Sequence, residues 1–226
     1  MDIDLTKIIH PLMLTFKTVS VSAILFMLIG IPLAYLLATK DLKLRWLLDT
    51  IVTMPLIFPP IAVGFLLLLL LGRNSILGQF FASFDISFIF TFYGLVIAGF
   101  IAGIPLMVKP LQSAIEQFPK NVKDAAYISG KSPLQTLIFV ILPTIKGSLF
   151  ASLLIASARA MGEVGITLML GGNIIGKTDT VSLAIYNAVF DGEHDLALIL
   201  SMILITVSLI FFIILNLIRT KNNAII

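Results

Sequence analysis

Cysteine is absent from the 226-residue chain, which excludes disulfide frameworks, thiolate metal sites and cysteine nucleophiles together. Only two histidines occur, His10 and His194, near opposite ends, so zinc chemistry has almost no material, and neither a metal site nor a cofactor is expected. Charge is scarce as well: 12% of the residues are charged, against roughly 25% in an ordinary soluble domain. No water-soluble surface can be built from that. What is present in abundance is apolar: 59% of the residues are hydrophobic and the mean hydropathy is +1.11. Apolar runs long enough to cross roughly 30 Å of hydrocarbon recur along the chain. The expected class is an all-α membrane protein with no nucleic-acid partner, a single transmembrane domain over residues 1–226.

Five stretches are long and apolar enough to span, at about residues 12–39, 46–71, 89–108, 148–170 and 196–218. Lys40, Lys43 and Arg45 follow the first. Lys109, Lys120, Lys123, Lys131 and Lys146 lie between the third and fourth, and Arg219 and Lys221 follow the fifth. The opposite side has only Lys7, Arg73 and Lys177 in its loops and tail. This asymmetry predicts the N-terminus outside and the C-terminus in the cytoplasm, with residues 109–147 as a long cytoplasmic region. The opening "MDIDLTK" is not a basic leader, and the apolar run behind it is too long for a signal peptide, so the first span is expected to stay in the protein.

"GGNIIGKT", Gly171 to Thr178, fits the pattern of a phosphate-cradling loop. Its predicted position contradicts that use. It follows the fourth span on the outer side, where there is no ATP pool, and the chain offers no parallel sheet or acidic strand to complete a nucleotide site. The expected structure is an external turn, with Gly171 and Gly172 ending a helix and Gly176 permitting another bend. A weaker reading has this loop touch an external partner or its anionic cargo.

Residues 109–147 carry well-specified local signals. A first short helix is predicted from near Pro119 or Asn121 through Asp124, Ala125, Ala126 and Ile128, with Gly130 at the left-handed position that ends it. A second opens with Ser132 as N-cap, Pro133 at the first helical position and Gln135 completing a capping box. The result is helix, glycine elbow, helix. Ala125 and Ala126 leave a low surface that a second protein could approach closely; the alternative is an amphipathic hairpin that merely covers the bundle.

Ionisable residues at membrane depth need an interior partner or a watery cavity. Arg159 and Glu163 are four residues apart in the fourth predicted span and are expected on one helical face, compensating each other. They either flank a translocation path or its gate, or lock the fourth span to a neighbour. Ser152, Ala156 and Ala160, with Ala158 and Gly162 nearby, form small-residue stripes suited to close helix approach, at the centre of a bundle or a dimer seam. Pro32, Pro55, Pro59, Pro60 and Pro105 interrupt predicted spans. "MPLIFPPIAVG" is the most disrupted segment and is placed near a path or hinge, a static kink being the alternative for any single proline. Thr15, Thr18 and Ser22 form a further polar stripe, and Lys17 can reach the outer surface. Five helices enclose little space, so a pore between two copies is the economical arrangement.

"DAAYISGKSPLQTLIFVILP" resembles the EAA motif of permease subunits in ATP-binding-cassette importers: Asp124, Ala125, Ala126, Gly130, Leu142 and Pro143 fall on its positions, with Asp124 in place of glutamate and Val140 in place of isoleucine. "GIPLAYLLATKDLKLRWLLDTIVTMPLIFPPIAVGFLLLLLLGR" and "SARAMGEVGITLMLGGNIIGKTDTVSLAIY" extend the similarity over nearly the whole chain, toward the permease subunit of molybdate importers. Relatives for sulfate and thiosulfate share "GE-x-G" but are usually longer, and Val164 stands where the family usually has phenylalanine. The resemblance implies a type I importer permease fold in a bacterial cytoplasmic (inner) membrane. It also implies a homodimer with two copies of a cytoplasmic ATPase subunit and an external oxyanion-binding protein. The chain itself would not be an enzyme. Coupling to the ATPase would fall on Asp124, Ala125, Ala126, Gly130, Lys131, Ser132, Pro133, Leu142 and Pro143. Arg159, Glu163, Pro55, Pro59 and Pro60 are the candidates for the path or gate. Molybdate is the expected cargo, with tungstate, sulfate or thiosulfate as alternatives. A free-standing secondary transporter usually calls for more spans and internal repeats, and no convincing repeat is present; a non-transporting membrane anchor is the third class.

Overall fold

The computed structural model describes residues 5–39 and 43–223, without the side chains of residues 211, 215, 216 and 218–223. Lys40 lies outside the described residues, as do residues 1–4 of the N-terminal stretch, and only the backbone of Arg219 and Lys221 is described.

The described residues are helices joined by turns, as the composition requires: a backbone surrounded by apolar side chains must satisfy its polar groups within each segment. In chain order they are α1 (Thr6–Leu25), α2 (Ile31–Ala38), α3 (Arg45–Ile57), α4 (Pro60–Leu71), α5 (Ile76–Ala82), α6 (Phe92–Glu116) and α7 (Lys120–Ile128). There follow α8 (Pro133–Thr136), α9 (Leu142–Thr144), α10 (Lys146–Met161), α11 (Gly165–Gly171), α12 (Val181–Phe190) and α13 (His194–Asn223). A π-turn over Phe26–Gly30 joins α1 to α2, and another over Leu137–Ile141 joins α8 to α9. Each π-turn comes just before a proline, Pro32 or Pro143. The wider turn relieves the clash between a proline ring and the carbonyl four residues earlier.

Among the described residues three helices are long and apolar enough to cross a membrane: Thr6–Ala38, Phe92–Glu116 and His194–Ile214. The number rises to five if each of two bent pairs is one span: Pro60–Leu71 with Ile76–Ala82, bent by 59°, and Pro133–Thr144 with Lys146–Met161, bent by 84°. Of the three long helices, α6 is the hub. Its most apolar stretch is 67% buried, against 28% for the first and 12% for α13, so the other two turn most of their apolar surface outward.

Close approach around α6 rests on small residues. A β-carbon on Gly103 would stand 2.4 Å from the Phe26 ring and 2.7 Å from the Ala156 carbonyl oxygen; one on Gly99 would stand 3.1 Å from Ser22 Oγ and 3.3 Å from Ala160 Cβ. The small-residue face of α10 (Ser152, Ala156, Ala160) is thus buried against α6 at the centre of the bundle. Thr15, Thr18 and Ser22 also point inward and are buried, and the Thr15 hydroxyl accepts a hydrogen bond from Val181 N–H at 2.9 Å. The third helix runs eight residues beyond the expected 108, to Glu116. Its extension is tied to α3 by Lys109–Asp49 and Arg45–Glu116 ion pairs.

Candidate functional site

Two of the stretches expected as continuous spans are broken, and the breaks meet. The second divides at Phe58 and Pro59, both extended, between α3 and α4. Pro55 stays within α3, and Pro32 and Pro105 also remain inside helices, so only the Pro59–Pro60 pair breaks one. The fourth divides at residues 162–164, which corrects the expectation of one helix over 148–170 with Arg159 and Glu163 on a single face. Glu163 lies in the break itself. Gly162 ends α10, and the half-buried Val164 precedes α11. The local reason is a glycine on each side of Glu163-Val164 and a carboxylate that replaces the missing helical bonds. Glu163 Oε1 accepts from Ile166 N–H at 2.9 Å, while Oε2 lies 2.5 Å from Arg159 Nη1 in the last turn of α10.

Glu163 is 2% exposed. Burying a lone carboxylate is costly, and here the charge is offset from two sides, by the guanidinium and by the positive end of α11. Arg159 keeps about a third of its side chain exposed (32%), so the pair is closed on the glutamate side and open on the arginine side.

The two breaks are pressed together at glycines. A β-carbon on Gly165 would stand 2.9 Å from Pro60 Cβ and 3.0 Å from Ile61 N; one on Gly64 would stand 2.9 Å from Ile166 Cα. Helix α4 therefore lies directly on α11. Pro59, Pro60 and Ile61 remain exposed on their other side. The structure thus brings Arg159, Glu163, Pro59 and Pro60 into one region, with Pro55 half-buried more than a turn earlier in α3. Gly64 and Gly165 were not singled out from the sequence; the breaker spacing of Gly162 and Gly165 around Glu163 is the signal that marks Gly165, while Gly64 inside α4 has no local signal of its own.

The second region is the hairpin α7–α8. Gly130 adopts φ +81° as the elbow, and Lys131 N–H closes it on the Ala126 carbonyl at 3.1 Å. The capping box is present: Gln135 N–H donates to Ser132 Oγ at 3.3 Å and Ser132 N–H donates to Gln135 Oε1 at 2.9 Å. Beyond it the chain continues through the π-turn, Leu142 and Pro143 to Thr144, then bends sharply into α10. Asp124, Ala125, Lys131, Ser132, Pro133 and Pro143 are exposed, Leu142 is half-buried and Ala126 is buried. Lys131 Nζ sits 5.9 Å from the centre of the Phe139 ring.

The exposed apolar side chains of this hairpin were not picked out from the sequence. Ile128 is 87% exposed and Leu134 63%, one on each side of the elbow. The hairpin is also tied to the hub. Lys123 Nζ donates to the Ile115 carbonyl at 2.9 Å; burial there pushes the ammonium pKa below the ordinary lysine range, and Glu116 opposes the shift.

The "GGNIIGKT" segment is a turn between α11 and α12. Gly172 and Gly176 take φ +71° and +74°, Asn173 takes +52°, and Asn173 and Asn187 join their side-chain amides. Thr178, the residue that would hold a metal in a nucleotide loop, is fully buried. Its hydroxyl donates to the Gly171 carbonyl at 2.7 Å and accepts from Ile174 N–H at 2.9 Å. That leaves it no geometry for a phosphate-bound cation.

Residues 30–222 match the family described as "Binding-protein-dependent transport system inner membrane component". "Probable transport system permease protein NifC" of Clostridium pasteurianum is 34% identical over 184 residues, which are 81% of this chain and 64% of NifC; the chain thus spans under two thirds of that relative. The molybdenum transport system permease protein ModB of Azotobacter vinelandii is 32% identical over 80% of each chain. The sulfate transport system permease protein CysT of Salmonella typhimurium is 26% identical over 95% of this chain and 78% of that one. Among solved structures, a bacterial ABC transporter involved in the import of the acidic polysaccharide alginate superposes with a TM-score of 0.62 at 17% identity. The superposition covers 97% of this chain and 80% of that one. It speaks for the fold alone.

Proposed function

The chain belongs to the family of binding-protein-dependent transport system inner membrane components, and on that premise we propose that it is the permease subunit of an ATP-driven importer that carries molybdate into the cell. The observation that carries this reading is the pairing of two features on opposite ends of α10: a preformed hairpin with uncovered apolar side chains, and a closed contact between two broken helices. In this reading α3–α4 and α10–α11 are broken spans, giving five spans in all. The hairpin side is cytoplasmic, and the N-terminus and the "GGNIIGKT" turn are external, as the placement of lysine and arginine favours.

Mechanistically, the hairpin docks on a separate ATPase subunit, two of which serve a dimer of this chain. Ile128 and Leu134 supply apolar anchors, and Asp124, Ala125, Gly130, Lys131, Ser132 and Pro133 form the contact surface around them. Leu142 and Pro143 transmit the movement to α10, while Lys123 passes it to the end of α6. Backbone freed of helical bonds is tolerated at membrane depth where it is buried in protein or lines a cavity. The exposed side of Pro59–Pro60 and the open side of Arg159 therefore face the path between the two copies. Arg159 gives an oxyanion a transient contact; with Glu163 holding it, the site stays weak enough to release its cargo.

Molybdate is favoured because ModB is similar over most of the chain at a higher identity than CysT, the sulfate relative. Reconstitution of the chain with its ATPase subunits and the binding protein tests this reading. ATP-dependent uptake of labelled molybdate, weakly competed by sulfate, is expected. Efficient competition by sulfate would assign the other cargo, and uptake by the chain alone without ATP would make it a secondary transporter.

A further inference from the structure

The end of the molecule that carries the "GGNIIGKT" turn sorts its charges. Three basic residues were assigned there, Lys7, Arg73 and Lys177. Lys7 is bound by Glu193, 2.6 and 2.9 Å from its two oxygens. Arg73 and Lys177 make no ion pair among the described residues, although they come from segments about a hundred positions apart. Both are exposed, and both line one open basin of about 870 Å³. Among the described residues no carboxylate lines that basin; its other polar walls include Asn74 and Ser87. Among the described residues most carboxylates of this end gather elsewhere. Asp179, Asp191 and Glu193 line a separate cavity of about 270 Å³ with His10, while Asp85 and Arg73 together line a recess of about 170 Å³ next to the basin without forming an ion pair.

The walls of the basin are fixed rather than loose. Phe90 N–H donates to the Leu170 carbonyl at 2.7 Å, and the Phe90 ring covers Gly172 so closely that a β-carbon there would stand 2.3 Å from it. The buried Thr178 hydroxyl clamps the turn that presents Lys177. On the other wall Ser75 Oγ accepts from Gly78 N–H at 2.8 Å, capping α5 behind Arg73. Two cations thereby stand on one rim with fixed walls, neither of them in an ion pair among the described residues.

We propose that Arg73 and Lys177 form a docking basin for carboxylate side chains on the external binding protein; the inference rests on the importer reading above. A protein surface fits the basin better than a free oxyanion does. The space is many times larger than one tetrahedral ion, both cations are exposed to water, and no buried donor is aimed into it, so a single hydrated anion gains little on entering. Several carboxylates on a rigid partner engage both cations at once and displace water around them. Unpaired surface charge of this kind acts mainly on the association rate and on its salt dependence.

The test uses the whole transporter, this chain with its ATPase subunits in lipid nanodiscs, and the importer's own molybdate-loaded binding protein as the probe. For the variant Arg73→Glu with Lys177→Glu, association at low salt should slow by about tenfold or more and its salt dependence should flatten or change sign, because repulsion replaces attraction. Arg73→Gln with Lys177→Gln should fall between. ATPase subunits should co-purify with both variants as they do with the wild type. Association unchanged in rate and salt slope, with the ATPase subunits still bound, would overturn the docking basin alone. If binding of molybdate without any binding protein falls in the variants while docking is intact, the basin collects free ions and the proposal is likewise wrong. Failure of the wild type to retain an ATPase subunit would instead sink the importer reading.

Discussion

Pro60 and Gly165 touch across the break points of two helices, with only a hydrogen on the glycine side: a β-carbon there would lie 2.9 Å from Pro60 Cβ. Backbone at Ile61 stands behind it at 3.0 Å, so the neighbour cannot swing away. Gly165→Val is expected to cost about 1–3 kcal/mol by overpacking and to separate α4 from α11. Thermal unfolding of the purified chain in detergent should begin at lower temperature, and uptake should be lost. Wild-type stability and uptake together would mean that this contact is unnecessary.

Glu163 has two partners, and substitutions separate them. Glu163→Ala removes both the bond to Ile166 N–H and the charge facing Arg159, at a cost of about 3 kcal/mol. Arg159→Ala should cost a comparable amount, because it strands the Glu163 carboxylate, only 2% exposed, without its counter-charge. The double variant should be more stable than the sum of the single losses predicts, since the second change no longer strands a charge. Strict additivity in chemical denaturation would show that the two side chains do not act as a pair.

At Gly130 a side chain meets no atom of this chain within 4 Å, yet φ is +81°. Gly130→Val should therefore cost only the left-handed backbone penalty of about 1–2 kcal/mol, and Gly130→Asn less, because asparagine tolerates that region. Both variants should insert in the membrane. ATP-dependent uptake should survive Asn better than Val; equal uptake with glycine, asparagine and valine would remove the elbow from the coupling mechanism.

Ile128 is 87% exposed, so Ile128→Lys should leave the stability of the isolated chain within about 0.5 kcal/mol. Co-purification of the ATPase subunit should nevertheless fall by about tenfold or more, the loss expected when an apolar anchor is removed from an interface. Undiminished co-purification would place the docking surface elsewhere.

Thr178 and Lys177 are adjacent but opposite in character. Thr178→Val removes two hydrogen bonds from a buried hydroxyl and should destabilise by about 1–3 kcal/mol, whereas Lys177→Ala should change stability by less than about 0.5 kcal/mol. Neither variant should alter the ATPase rate of the complex in the absence of binding protein. A selective loss of that rate in Lys177→Ala would revive the nucleotide reading of the turn.

What the sequence made legible follows from how local each signal is. The capping box at Ser132 and Gln135 and the elbow at Gly130 are short-range patterns, and the structure contains both. The helical class followed from apolar runs and scarce charge. The break at Glu163 was missed because an arginine and a glutamate four apart suit a continuous helix equally well; the difference lies in Gly162 and Gly165 and in the close approach of Pro60, a contact about a hundred residues away in sequence. Tertiary contacts of that range leave no periodic trace. The same holds for the lysine and arginine that share a basin, and for α12, a 10-residue helix too short to stand out beside the longer apolar runs.

Because the chain has no cysteine, single cysteines placed at Leu134, on the hairpin, and at Ile175, on the glycine-rich turn, report sidedness without background. Both side chains are exposed, at 63% and 75%. A membrane-impermeant maleimide added to intact cells (with the outer membrane made permeable where one is present) should label Ile175→Cys, and should label Leu134→Cys only after the inner membrane is opened and the ATPase subunit that covers the hairpin is stripped off. Labelling of Leu134→Cys in intact cells with Ile175→Cys protected would put the hairpin on the wrong side of the membrane for any ATPase and contradict the account.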